Sequence, residues 1–285
     1  MTGGGIGAAL LRPRAAGSPA ARPAQARRKA RRWARRVKPV IGVAAAFAFW
    51  EVLTESGALD QRNIPTVQSV SAAFGSSFGT ILSSLGVTLE SLFIGLAIAS
   101  VAGAVLGIAV GLTAWAEAAT DVIVRMMRPL PSLALIPIAI LVAGLGTKMT
   151  SGLVAFAAFW PVFINARYGT RQVEPRFLET GRALGFSRWE LIWRIVLPST
   201  APAVATGIRI AVGMATVVTV SVELVAGTGG LGGYVVSAQQ GGSVPQMYAG
   251  IVAGGIIGWL LNLAVGAVAG RALAWDAAAS RGMPA

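Results

Sequence analysis

Long apolar stretches separated by short polar segments organise most of this 285-residue chain. A helix that crosses a bilayer needs about 20 predominantly apolar residues. Six stretches reach or approach that length, at residues 40–59, 87–113, 130–145, 150–166, 201–222 and 249–270. The pattern predicts an all-α integral membrane protein with six transmembrane helices.

Two of the predicted helices carry small residues at four-residue spacing. The second contains Gly95, Ala99, Gly103, Gly107 and Gly111. The sixth contains Gly250, Gly254, Gly258, Gly266 and Gly270, with Asn262 in the same register. Such stripes let two helices approach backbone to backbone, so we interpret both as packing surfaces. Pro131, Pro137 and Pro161 lie in the third and fourth helices and predict kinks or broken ends there.

Basic residues are concentrated at the N-terminus. The chain has 24 Lys+Arg and 11 Asp+Glu, and residues 1–38 hold eleven of the basic residues and none of the acidic ones. With the N-terminus inside, 21 of the 24 basic residues fall in cytoplasmic segments, and the outer loops hold only Arg62 and Lys148. The positive-inside rule therefore predicts a multi-pass protein of the cell (inner) membrane with both termini cytoplasmic.

The charge distribution also divides the chain into parts. We predict a disordered, basic cytoplasmic tail at 1–38, a transmembrane domain at 39–275 and a cytoplasmic C-terminal tail at 276–285. A basic arm could bind nucleic acid or anionic lipid. Because this one directly precedes apolar spans, we favour a role in topology, with membrane lipid rather than nucleic acid as the partner.

The composition excludes several kinds of chemistry. The chain has no Cys and no His, which excludes disulfides, zinc sites built on thiolate or imidazole, and catalysis by a Cys/His or Ser/His pair. It also has no Gly-Lys dipeptide, and therefore no P-loop. We predict a protein that is not an enzyme, with no catalytic residue, no metal and no cofactor of its own.

A polar segment between the fourth and fifth predicted helices carries turn and cap residues in order. Pro175 suits the first turn of a short amphipathic helix, and Gly185 suits its end. Ser187 can cap a second helix, with Glu190 three residues later as its capping-box partner. This predicts two short helices around a glycine turn on the inner membrane surface.

The same segment, residues 174–198, resembles the EAA loop of permease subunits from binding-protein-dependent ABC importers. Glu179 is followed by Gly185 six positions on, and after nine further residues come Ile195, Leu197 and Pro198. That spacing matches the family pattern throughout. The departure is Thr180-Gly181, where the family usually has two alanines.

The resemblance extends over nearly the whole apolar part of the chain. It includes Arg128-Pro-Leu-Pro131 and Gly230-Leu-Gly232, and it is most similar to the nitrate, sulfonate and taurine permease branch. It implies a type I ABC importer permease fold and a homodimer of permease copies. It also implies an ABC ATPase subunit that binds the ATP, and an extracytoplasmic substrate-binding protein.

What the resemblance implies about residues and substrate follows the same motifs. The loop would form a coupling helix on the ATPase, with coupling residues Glu179, Thr180, Gly181, Ala183, Leu184, Gly185, Ile195, Leu197 and Pro198. The substrate would be a sulfonate-, taurine- or nitrate-like anion, with a thiamine-pyrimidine precursor as the alternative.

The fifth predicted helix carries polar residues on one face. Arg209, Thr216 and Glu223 recur at seven-residue intervals, with Thr219 beside them. Ionisable groups in a span usually face a bundle interior or a water-filled path, so we interpret this face as a candidate substrate pathway. Alternatively, Arg209 reaches the cytoplasmic surface and Glu223 sits at the outer edge.

The sequence also bears on two alternatives, a nucleotide-binding site and a secondary transporter. Residues 227–232 fit G-x-G-x-x-G but follow a predicted spanning helix rather than a strand, so we interpret them as an outer turn and not a nucleotide site. A secondary transporter would show repeated halves and ion-binding carboxylates in the middle of its spans. The sequence has neither feature.

Overall fold

A computed structural model describes residues 41–56, 63–128 and 130–272 of the chain. Every regular element in those ranges is helical, which confirms the all-α prediction. Backbone contacts divide the chain into two compact units, Met1–Gln61 and Arg62–Ala285. In the first unit, residues 41–55 form helix α1. The two predicted tails and the ends of the first predicted span lie outside the described residues.

Helices fill the described part of the second unit, with a 3₁₀ segment and a π turn among them. The α-helices are α2 (Val67–Ser76), α3 (Phe78–Gly111), α4 (Ala114–Met127), α5 (Ile136–Ala143), α6 (Thr147–Arg171), α7 (Pro175–Ala183), α8 (Arg188–Leu191), α9 (Leu197–Ala226), α10 (Leu231–Gln240) and α11 (Val244–Ala272). The 3₁₀ segment is Ser132–Leu135, directly before α5, and the π turn is Ile192–Val196, directly before α9.

Helices α3 and α6 pack backbone to backbone along the first predicted stripe. A Cβ on Gly95 would lie 2.6 Å from the Ser151 carbonyl oxygen, and one on Gly107 would lie 2.5 Å from the Phe163 carbonyl oxygen. The Ser151 hydroxyl donates to the Ser91 carbonyl oxygen at 3.1 Å, which ties the two helices together. The packing interpretation of this stripe is confirmed.

Helix α9 completes the core against this pair. A Cβ on Gly207 would lie 2.9 Å from the Pro161 carbonyl oxygen of α6, so these two helices also approach closely. Val154 of α6 and Val212 and Val222 of α9 are buried in the shared hydrophobic cluster. The core is therefore built from α3, α6 and α9.

The second stripe, on α11, packs at fewer positions. A Cβ on Gly250 would lie 2.8 Å from the Tyr234 ring, and one on Gly258 would lie 3.2 Å from Thr216 Cγ2. At Gly254 a Cβ would meet nothing within 4 Å in the described part of the chain. Within the described residues, close packing is therefore confirmed at Gly250 and Gly258 and not at Gly254, Gly266 or Gly270.

The number of membrane-crossing helices can be judged from length and composition. Within the described residues, four segments are long and apolar enough: Phe78–Gly111, Thr147–Arg171, Arg188–Gln240 and Val244–Arg271. The bent pair of α4 with Ser132–Ala143 raises the number to five if it counts as one span. The predicted total of six stays a prediction, because the first span lies partly outside the described residues.

The third predicted span, residues 130–145, is wrong as a single helix. The 3₁₀ segment has 4 residues and α5 has 8, so together they are only about 18 Å long. The hydrocarbon core is roughly 30 Å thick, so this piece is too short to cross it. This short piece meets α4 at 84°, which makes the pair a broken span or a re-entrant loop. Pro131 directly precedes the short piece and Pro137 lies in the first turn of α5, as expected where a helix is interrupted.

Candidate functional site

Helix α7, the first predicted loop helix, begins and ends at the predicted residues. Pro175 occupies its first turn, and Gly185 beyond its end has a φ of +80°. The Phe186 N–H donates to the Gly181 carbonyl oxygen at 3.0 Å, which forms the wrapped end of a Schellman motif. Since this φ favours glycine, Gly185 fixes where α7 stops.

The predicted cap of the second loop helix is also confirmed. Ser187 Oγ accepts from the Glu190 N–H at 3.3 Å, and Glu190 Oε2 accepts from the Ser187 N–H at 2.9 Å. These reciprocal bonds form a capping box and start α8.

The second loop helix is not a separate surface helix, and that part of the prediction is wrong. From α8 the chain passes through the π turn into α9, so the helix is unbroken from Arg188 to Ala226. The π turn lies just before Pro198, whose ring would clash with the carbonyl four residues earlier in a regular α-helix. The wider turn explains why the helix can continue through this proline.

Gly181, which departs from the usual family alanine, has a packing reason. It is the buried residue of α7. A Cβ at this position would lie 2.6 Å from Leu191 Cδ2 and 2.8 Å from Ile195 Cδ1. Helix α7 therefore rests on α8 and the π turn through a residue that has no side chain.

The other predicted coupling residues are mostly solvent-facing. Leu184, a large apolar residue, is 69% exposed. Ile195 and Leu197 are half-buried, whereas Glu179, Thr180, Ala183, Gly185 and Pro198 are exposed. The structure thus places α7 as a short helix held on one side, with a mixed charged and apolar surface on the other.

At the opposite end of α9, Glu223 joins three helices while only 1% exposed. Its Oε2 accepts from the Thr88 hydroxyl of α3 and from the Gly232 N–H of α10, both at 3.0 Å. The Thr88 hydroxyl in turn accepts from the Leu231 N–H at 2.8 Å. A Cβ on Gly230 would overlap the carboxylate, so the glycine-rich turn makes room for Glu223 and not for a phosphate.

The predicted pathway residues do not share one open surface. Thr219 is fully buried and its hydroxyl donates to the Ala215 carbonyl oxygen of its own helix at 2.8 Å. Thr216 lines a cavity of about 380 Å³ between α9, α10 and α11, whereas Arg209 is exposed. The Glu223 carboxylate is hydrogen-bonded to α3 and α10. A substrate-pathway role for the predicted residues of α9 therefore stays a prediction.

A charged contact between α4 and α6 was not predicted from the sequence. Arg167 is buried, and its guanidinium lies 3.4 Å from Asp121 Oδ1, while Arg171 pairs with Glu117. The signal was present, because the two carboxylates are four residues apart and share one helix face. Among the described residues, no group of three or more acidic side chains could hold a metal ion.

Comparison with known proteins connects this arrangement to a family. Residues 99–271 match the family described as binding-protein-dependent transport system inner membrane component. That region contains α4 to α10 and nearly all of α11, and therefore the whole α7 loop, the π turn and Glu223 with Gly232, whereas Thr88 lies before it.

Similar proteins include three permeases. The taurine transport system permease protein TauC of Escherichia coli K12 is 31% identical over 215 residues, which cover 75% of this chain and 78% of TauC. The nitrate import permease protein NrtB of Leptolyngbya laminosa is 29% identical, over 66% of this chain and 67% of that protein. The putative aliphatic sulfonates transport permease protein SsuC of Escherichia coli K12 is 27% identical, over 87% of this chain and 95% of SsuC.

A solved structure shows the same fold. An inward-facing conformation of the MetNI methionine ABC transporter contains a chain that aligns with a TM-score of 0.54 at 19% identity. The alignment covers 65% of this chain and 93% of that one. Taken with the family match over residues 99–271 and the 31% identity to TauC, this shows that the chain belongs to the inner membrane components of binding-protein-dependent transport systems, the permease subunits of ABC importers.

Proposed function

We propose that this chain forms the membrane pathway of an importer for a small anion of the sulfonate, taurine or nitrate type. The observation that carries the proposal is the set of relatives, which are named for taurine, nitrate and aliphatic sulfonates. Each of these solutes has a compact group with several oxygen atoms that share a negative charge. A thiamine-pyrimidine precursor lacks such a group, which makes it the weaker candidate.

Helix α7 is the proposed coupling helix. Its exposed surface, with Glu179 and Leu184, is available to a separate ABC ATPase that binds the ATP. Movement of α7 would pass through Gly181 to α8 and the π turn, and from there along the unbroken helix to the Glu223 contacts. This path would carry the movement caused by ATP-driven closure of the ATPase subunits to both ends of the helix bundle.

The proposed assembly contains two copies of this chain, two ATPase subunits and an extracytoplasmic binding protein. In that assembly the α7 loop faces the cytoplasm, where ATP is available, and both termini lie on the same side. The basic residues around α7, among them Arg176, Arg182 and Arg188, support this orientation through the positive-inside rule.

The test is uptake by cells that lack this gene, with labelled taurine, an alkanesulfonate, nitrate and a thiamine-pyrimidine precursor. We expect loss of uptake for one of the anions, restored by the intact gene. Loss of the pyrimidine precursor alone would contradict the anion proposal.

Coupling is tested in the same strain with Glu179→Lys. This variant should reach the membrane at the normal level but restore little uptake, because it reverses a charge on the exposed surface of α7. The variant leaves the buried core unchanged, so wild-type uptake by it would argue against α7 as the ATPase contact.

A further inference from the structure

Helix α4 is packed less tightly than its neighbours and lies between two changes of direction. It has 14 residues, and within the described chain Val124 is its one buried residue. It starts after Thr113, which is extended, and the chain bends by 84° between α4 and the Ser132–Ala143 piece. A helix with so little buried surface, set between two breaks, can move as a unit.

A cavity of about 590 Å³ separates part of α4 from α6. Its lining on α4 includes Asp121 and Val124, and its lining on α6 consists of Ile164, Arg167 and Tyr168. Side chains therefore do not fill the space between the two helices here. Helix α4 has room to approach α6.

Two ion pairs connect the helices beside this cavity, and they differ in how closely they are formed. Glu117, in the first turn of α4, pairs with Arg171, the last residue of α6. Asp121 lies 2.8 Å from the guanidinium of Arg125 on its own helix but 3.4 Å from that of Arg167. Arg167 is only 4% exposed, and a buried charge needs a close partner. Asp121 is thus shared between two cations, and the buried one holds it less closely.

The ion pairs lie next to the proposed coupling helix. Arg171 ends α6 and Pro175 begins α7, so three residues separate this ion pair from α7. Movement of α7 would therefore act on Arg171 directly.

We propose that α4 swings towards α6 and back in each transport cycle, with the Glu117–Arg171 pair as the pivot. As the cavity narrows, Asp121 exchanges its close contact with Arg125 for one with Arg167. This exchange costs little at Arg125, because its side chain is 80% exposed and water replaces the lost partner. The proposal rests on the proposed function, since it gives ATP-driven movement of α7 a second route, through α4 to the Ser132–Ala143 piece.

The first test measures the movement by cross-linking in the importer assembled with its ATPase in proteoliposomes. Val124→Cys and Ile164→Cys are combined, because these residues line the cavity from opposite helices, take no part in the ion pairs and lie in a chain without natural cysteine. A bis-methanethiosulfonate with a two-carbon spacer should link them at least threefold faster with ATP and vanadate than without nucleotide. An unchanged rate would overturn the proposal.

Uptake by the same double variant shows whether the movement is needed. Cross-linking should lower uptake at least tenfold, and reduction of the link should restore it. Each single-cysteine variant, treated with the same reagent, is the matched control and should retain most of its uptake. A cross-linked importer that still transports would show that α4 is a fixed part of the fold, which would also overturn the proposal.

The pivot is tested by reversing and exchanging its charges. Glu117→Arg and Arg171→Glu should each lower uptake at least tenfold at unchanged membrane abundance, because each places like charges together. Both side chains are partly exposed, so the variants should fold. The combined variant restores an opposite pair and should recover most of the uptake. Failure to recover would overturn the Glu117–Arg171 pair as the pivot.

Failure of the proposed function can be told apart from failure of this inference. If the wild type takes up none of the anions, the proposed substrate is wrong. The cross-linking rate requires only this chain, its ATPase and nucleotide, so it still decides whether α4 moves.

Discussion

Thr88 and Thr219 are both fully buried threonines, but their hydroxyls make different contacts. The Thr88 hydroxyl donates to Glu223 and accepts from the Leu231 N–H, whereas that of Thr219 donates within its own helix. Thr88→Val keeps the shape but leaves a buried backbone N–H without an acceptor, so we expect a loss of about 1–3 kcal/mol in the free energy of unfolding. Thr219→Val leaves no donor unpaired and should cost less than about 1 kcal/mol.

Thermal unfolding of the two purified variants in the same detergent measures this difference. Thr88→Val should have the clearly lower melting temperature, and Glu223→Ala should be lower still because it removes the acceptor of two hydrogen bonds. Equal melting temperatures for the two threonine variants would mean that the three-helix contact at Glu223 contributes little to stability.

At the scale of elements, the close approach of α3 and α6 depends on residues without side chains. In Gly107→Ala the new Cβ would lie 2.5 Å from the Phe163 carbonyl oxygen, and backbone cannot yield as a flexible side chain can. We expect a cost of about 1–3 kcal/mol from overpacking. Gly86→Ala, on the same helix, meets nothing within 4 Å and should be neutral or stabilising by up to about 1 kcal/mol. Their relative thermal stability checks the prediction, which fails if Gly107→Ala unfolds no earlier than Gly86→Ala.

The unbroken helix from α8 to α9 leads to a second prediction at this scale. Two glycines inserted between Val196 and Leu197 should make the link flexible, so that ATP is still hydrolysed by the assembled importer while uptake falls at least tenfold. The same insertion between Gly241 and Gly242, in the turn before α11, is the control and should retain most of the uptake. If both insertions lower uptake equally, the continuity of this helix has no special part in coupling.

Local signals and distant contacts explain which elements could be predicted from the sequence. Pro175, Gly185 and the Ser187 cap act within a few residues of themselves, so the start and end of α7 and the start of α8 were predictable. The contact of Thr88 with Glu223 spans 135 positions, and no local pattern indicates it.

At the scale of the whole molecule, apolar length predicted the helical membrane class but not the path of the chain. The run at residues 130–145 is apolar enough for a span, yet the chain there forms the short Ser132–Ala143 piece bent at 84° to α4. Hydropathy records which residues avoid water. It does not show that prolines interrupt the helix after α4 or that Asp121 and Glu117 of α4 pair with Arg167 and Arg171 of α6.

The orientation of the molecule can be measured directly, because the natural chain contains no cysteine to give background labelling. Lys148 and Gln172 are exposed at opposite ends of α6, about 36 Å apart along a helix at 1.5 Å per residue, which exceeds the roughly 30 Å hydrocarbon core. In intact spheroplasts, a membrane-impermeant maleimide should label Lys148→Cys and not Gln172→Cys. Permeabilised membranes should label both. The reverse pattern would place α7 outside, away from ATP, and would overturn both the orientation and the coupling role of the α7 loop.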